Sequence, residues 1–151
     1  MAVSPSKSKV CFFFETRKLI PGSQGKLKFF IERLFKKEGK KLKSLNYIFT
    51  TDARLLKINQ DFLNHDSYTD IVSFDLSETG EVEGEIYISV DRVLDNADTL
   101  IIPPKRELLR VMFHGALHLC GYQDNSKFHV KQMREKEDHY LKLYQLDLKS
   151  R

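Results

Sequence analysis

Apolar and polar positions alternate along this chain in two rhythms, and the switches between them mark its elements. Val10 to Glu15 is a short aromatic-rich run that predicts a strand. Pro21 and Gly22 break it, and Ser23 is suited to cap the next element. From Gln24 to Glu38 the apolar residues Leu27, Phe30, Ile31, Leu34 and Phe35 fall at i, i+3, i+4, i+7 and i+8. That spacing predicts a helix with one apolar face, ended at Gly39. Leu45 to Thr50 alternates and predicts a second strand. Thr51 or Asp52 can cap a helix running to about Phe62. Asp70 to Leu76 and Gly84 to Val90 predict two further strands, antiparallel across the turn residues Ser77 to Gly80. Asp91 opens a short helix through Ala97, and a last helix starts near Ser126 with Val130, Met133, Tyr140 and Tyr144 on one side. Strand–helix–strand order implies parallel pairing through right-handed crossovers. The expected fold is α+β: one domain over residues 1–151, a mixed four-stranded sheet packed with about five helices.

The stretch from Pro103 to Asp124 organises the rest. A proline pair suits a first helical turn, where a missing N–H is no loss. The residues after it are apolar nearly all round, which reads as a buried helix. His114 and His118 sit inside that run, and i, i+4 spacing projects both imidazoles from one face. Two such histidines can meet one metal ion. Gly121 then ends the helix, and the chain doubles back to bring Asp124 to the same ion as a third ligand. Cys120 points away from the shared face and suits a small buried hydrophobe, while His129 belongs to the next helix. Histidine with carboxylate favours zinc or another divalent transition ion. A three-ligand site leaves room for a water, whose pKa the ion lowers from about 15.7 towards about 7. The ion can act through that water or by neutralising a phosphate that another nucleophile attacks; the sequence leaves both routes open and assigns no catalytic side chain. Gly115 occupies the slot where H-E-x-x-H peptidases carry their glutamate base, which disfavours peptide hydrolysis.

His114-Gly115-x-Leu117-His118-Leu119-x-Gly121-Tyr122 resembles the H-G-x-L-H-L-x-G-Y-D-H signature of the YbeY family of bacterial rRNA maturation factors, whose three histidines bind zinc. Ile58 to Phe74 resembles that family's L-N-x-x-Y-R-x-x-D-x-P-T-D-V-L-S-F. Three departures stand out. Asp124 takes the third-ligand position, Leu63 stands where the family usually has an arginine thought to help catalysis, and Tyr68 stands where it usually has proline. Arg54, Lys57 or His65 are the candidates to replace the arginine, and Asp66 and Asp70 read as turn and strand-cap residues. The resemblance implies a metalloprotease-like core around a central metal-ligand helix. It also implies a zinc-dependent, single-strand-specific endoribonuclease in small-subunit rRNA maturation and ribosome quality control, with single-stranded RNA and the small ribosomal subunit as partners. The alternative is a ribosome-assembly factor that binds RNA and carries a structural metal.

Composition adds three constraints. The chain has 151 residues, a net charge of +4 and only two cysteines, Cys11 and Cys120, so a reducing cytoplasm is expected. No apolar run nears a membrane span, and the burst Val10 to Phe14 is too short for a signal-peptide core. The helix face and loop around Lys26 to Lys43 concentrate positive charge, and Lys36, Lys37, Lys40, Lys41 and Lys43 are the candidate phosphate contacts. No membrane and no DNA partner is expected.

Overall fold

In the computed structural model, which describes residues 8–20, 22–63 and 69–149, the elements run β1 (Val10–Phe14), α1 (Gln24–Lys37), β2 (Leu42–Thr50), α2 (Asp52–Leu63), β3 (Ile71–Asp75), β4 (Val82–Ser89), α3 (Val90–Leu100), α4 (Pro104–Leu119) and α5 (Lys127–Lys149). Pro21, His65, Asp66 and Tyr68, and the start of the basic N-terminal segment, lie outside the described residues. The strands form one mixed sheet in the order β1-β2-β4-β3. β1 and β4 are parallel to β2, and β3 is antiparallel to β4.

Two helix starts follow the expected caps: the Ser23 side chain accepts from Lys26 N and Thr51 Oγ1 from Arg54 N. The next helix is capped by Ser89, whose Oγ accepts from Arg92 N, rather than opened at Asp91. Several boundaries differ from the sequence reading. β2 begins at Leu42 rather than Leu45, because a register irregularity between Leu42 and Ser44 interrupts the alternation that marks a strand. β4 runs from Val82 and gives Val90 to α3, which continues past Ala97 to Leu100. That helix ends at Ile101 in the left-handed region (φ 57°), where no glycine signals a stop. The strand order also departs from simple succession. β3 follows α2 but does not pair with β2; β4 takes the place between them. The inward row of β4, from Val82 through Gly84 to Ile88, is buried at every step, as a central strand requires, whereas β3 is less covered.

The larger core lies on one face of the sheet. Tyr47 and Phe49 pair in register with Ile86 and Ile88, and all four join α1, α4 and α5 in one apolar cluster. α4 crosses this face closely enough that the buried Tyr47 hydroxyl donates to the Met112 carbonyl at 2.8 Å. A Cβ at Gly115 would stand 2.8 Å from Ile71 Cδ1 and 2.9 Å from Ile86 Cδ1, so glycine is what lets the helix lie on the sheet. On the opposite face α2 covers a smaller cluster of Leu55, Ile58 and Val72, flanked by Phe74 and Tyr87. α5 packs with Met133, Tyr140 and Tyr144 as expected, but Val130 is exposed. The stripe starts one turn later than apolar spacing suggests, and the buried polar Glu137 sits within it.

Candidate metal centre

Helical spacing puts His114 and His118 one turn apart on α4, with ring centroids 4.5 Å from one another. Cys120 caps the helix, and Gly121 takes a φ of 108° that most side chains resist. The reversed chain is pinned where Tyr122 N donates to the Leu117 carbonyl. Asp124 thereby returns to the histidines. Its Oδ2 lies 3.4 Å from His114 Nε2 and 3.4 Å from His118 Nε2. One donor atom from each of the three residues falls within 4.8 Å of the others.

Both rings are held from behind. His118 Nδ1 is 2.9 Å from the Tyr122 carbonyl, an acceptor only, so Nδ1 donates there and Nε2 is the ring nitrogen turned to Asp124. His114 Nδ1 lies 2.6 Å from Glu137 Oε2, whose carboxylate is 2% exposed. Burial pushes the Glu137 pKa up, but the hydrogen bonds and charges of His114 and Arg110 outweigh it and hold it below the ordinary value. Glu137 is therefore an anion that accepts from Nδ1–H. Arg110 reaches Glu137 at 3.1 Å and forks onto the fully buried Glu107 at 2.8 and 2.6 Å. The Glu107 carboxylate raises the Arg110 pKa further. This buried chain of alternating charge fixes one ring. Such backing orients a ligand histidine and raises its basicity.

Asp124 is more open, with its side chain 46% exposed. Its loop is tied to α1 instead. Glu38 accepts hydrogen bonds from Tyr122 Oη (2.7 Å), Lys136 Nζ (3.2 Å) and Tyr140 Oη. Burial raises the Glu38 pKa, but these three bonds prevail and leave it lowered. Cys120 and His129 are not in the donor group. Burial pushes the Cys120 thiol up to about 12, which keeps it protonated, and His129 Nδ1 pairs with Ser126 Oγ.

The three donors open on a cleft of about 570 Å³. Leu63 lines it, as do Asp70, Ser73 and Asp75. Arg54 pairs with Glu15 and Lys57 with Asp61, and neither lines the cleft. His65 lies outside the described residues. Asp70 sits at the strand start as the sequence suggests, its carbonyl accepting from Ser89 N; it also lines the cleft, and its carboxyl accepts from Asn96 Nδ2 at 3.3 Å. Burial raises its pKa against the opposing charges of Arg110 and His114.

The lysine cluster is divided. Lys36, Lys40 and Lys41 line a second cleft of about 720 Å³ together with Lys9 and Arg33, beside the exposed ring of Phe29. Lys41 also pairs with Glu81 at 3.2 Å, and Lys43 with Glu83 at 3.7 Å. Lys37 is exposed and lies outside that lining. Sequence reasoning missed Glu137, Arg110 and Glu38. Glu137 lies 23 residues from its histidine, so spacing carries no sign of the contact. Asp70 did have a signal, the Thr-Asp pair of the second motif.

The profile of the family described as Endoribonuclease YbeY matches residues 16–145. A protein named Endoribonuclease YbeY from Flavobacterium psychrophilum is 52% identical over 107 residues, 71% of this chain and 76% of its own length. Another of that name, from Cytophaga hutchinsonii, is 45% identical over 139 residues, 91% of this chain and 97% of its own. The solution structure of a Thermotoga maritima protein aligns with a TM-score of 0.67 at 31% identity, over 93% of this chain and 92% of that one.

Proposed function

The chain belongs to the YbeY endoribonuclease family, and from that premise we propose that it is a metal-dependent endoribonuclease acting on single-stranded RNA, in rRNA maturation and ribosome quality control on the small subunit in the cytoplasm. The observation that carries the metal is the pair of 3.4 Å separations between the histidine Nε2 atoms and Asp124 Oδ2. Two imidazoles and a carboxylate are a donor set that suits zinc or another divalent transition ion, which His114, His118 and Asp124 would hold. Such an ion supplies a Lewis acid and lowers the pKa of a coordinated water towards about 7.

This chain's own residues do the rest. Glu137 and the Tyr122 carbonyl hold both rings with Nε2 forward. Asp70 is the cleft carboxyl suited to take a proton from the attacking oxygen and return one to the leaving oxygen. Lys36 and Lys40, with Lys37, Lys41 and Lys43 around them, attract the phosphodiester chain at the second cleft. Peptide hydrolysis is disfavoured further, because any side chain at position 115 meets Ile71 and Ile86. Among the described residues the donor group has three members, which favours an open site over the structural metal of an assembly factor.

The test is cleavage of a labelled single-stranded RNA by the wild type and His114→Ala, purified in parallel, with single-stranded DNA as a control. Cleavage of RNA by the wild type alone, abolished by chelator, is expected. Equal cleavage by both would trace the activity to a contaminant, and no cleavage by a zinc-loaded wild type would favour the assembly-factor reading.

A further inference from the structure

β3 is the outermost strand of the sheet, and its outer edge forms one wall of the cleft. Ser89 N donates to the Asp70 carbonyl at 3.0 Å, and Leu76 N donates to the Glu83 carbonyl at 2.7 Å. Residues in an antiparallel ladder alternate between those that exchange bonds with the partner and those that turn away. Asp70, Val72, Phe74 and Leu76 therefore direct their N–H and C=O groups to β4. Ile71, Ser73 and Asp75 direct theirs outward, and all three line the cleft that holds His114 and His118. The Thr69 hydroxyl donates to the Ile71 carbonyl at 3.3 Å. The lining carries Asp70, Asp75 and Asp124 and, among the described residues, no lysine or arginine.

We propose that the outer edge of β3 is a docking site for an extended, lysine- or arginine-bearing polypeptide segment of a partner protein, which adds a strand to the sheet at Ile71, Ser73 and Asp75. The two recognition elements are independent. A row of outward amide groups repeating every second residue matches the backbone of an extended peptide. The carboxylate of Asp75 matches its cationic side chains. RNA has no such row of paired donors and acceptors to offer the strand edge. A docked strand occupies the cleft in front of His114 and His118, so it competes with RNA for that space.

The test uses the full chain and a fluorescein-labelled heptapeptide alternating lysine and valine, read by anisotropy and by amide NMR. Saturable binding is expected, with shifted and exchange-protected Ser73 and Asp75 amides. A counterpart N-methylated at every backbone nitrogen, and one with glutamate in place of lysine, should each bind about tenfold more weakly or worse. Ser73→Pro removes an outward N–H and leaves the β4 ladder intact, so it should weaken the peptide by a similar factor without changing thermal unfolding. If that variant does not fold, the two control peptides on the wild type decide. Equal binding of the N-methylated peptide would overturn strand addition. A short single-stranded RNA that shifts the Ser73 amide where the basic peptide does not would give the edge to RNA and also end the proposal.

Discussion

Two clefts of comparable size open on this molecule, and they are built on opposite principles. The cleft beside His114 and His118 is walled by carboxylates and backed by buried hydrogen bonds. The cleft between α1 and the start of β2 is walled by lysines and arginine on exposed faces, around an exposed Phe29. A ligand atom for a metal must be held to within tenths of an ångström, and that demands a backing residue for each ring. A phosphate contact needs only a cation on a flexible stem, which is effective over several ångströms. Under the nuclease reading, attraction and chemistry are therefore separated in space, and a strand of RNA has to span both. Glu38 stands between the two regions, at the end of α1 and against the Asp124 loop.

The contrast can be broken most forcibly at its most rigid point. Glu137→Gln removes the anion that accepts from His114 Nδ1, and it should weaken zinc about 10- to 100-fold in a competitive chelator titration. RNA affinity at the lysine cleft should not change. Unaltered zinc affinity would mean that the buried chain from Glu107 to Glu137 serves the fold alone.

Glu38→Gln should destabilise the protein by about 2 kcal/mol at neutral pH, from the loss of charge-assisted bonds to Tyr122, Tyr140 and Lys136. The Glu38 pKa is lowered in the fold from an ordinary 4.5. Its contribution is thus fully present above that value and is lost as the pH falls through the folded pKa. Urea unfolding should find the wild-type advantage large at neutral pH and shrinking in acid. An advantage independent of pH would assign the effect to packing.

Lys36→Ala combined with Lys40→Ala tests the looser region. Two fewer phosphate contacts should reduce the slope of log affinity against log salt by about 1.4 for single-stranded RNA. The cleavage rate at saturating RNA should stay the same. A fall in that rate with no change in slope would place these lysines with the chemistry instead. The smallest effect is expected from Leu63→Arg, which adds one cation to the acidic cleft. It should lower KM about threefold at low salt and lose the advantage at high salt.

Local rules carried much of this protein. The i, i+4 histidines, the glycine that turns the chain at 121 and the caps at Ser23 and Thr51 depend on residues a few positions apart, and each took the expected form. The mixed four-stranded sheet came from elements whose periodicity was intact. Where periodicity failed, as at the irregular start of β2 or the polar Glu137 within the apolar stripe of α5, the reading from sequence failed with it. The exchange of β3 and β4 in strand order could not be read locally, since a hairpin can dock by either strand and burial decides which. Tertiary structure alone decided which charges are spent on one another. It paired Lys41 and Lys43 with Glu81 and Glu83, stood Glu137 behind His114, and set Asp70 against Asn96 beside the cleft. Those pairings join residues far apart in the chain, and no spacing rule encodes them. Their partners are selected by the low dielectric of a packed interior, which makes an unpaired charge costly and so selects the geometry that pairs it.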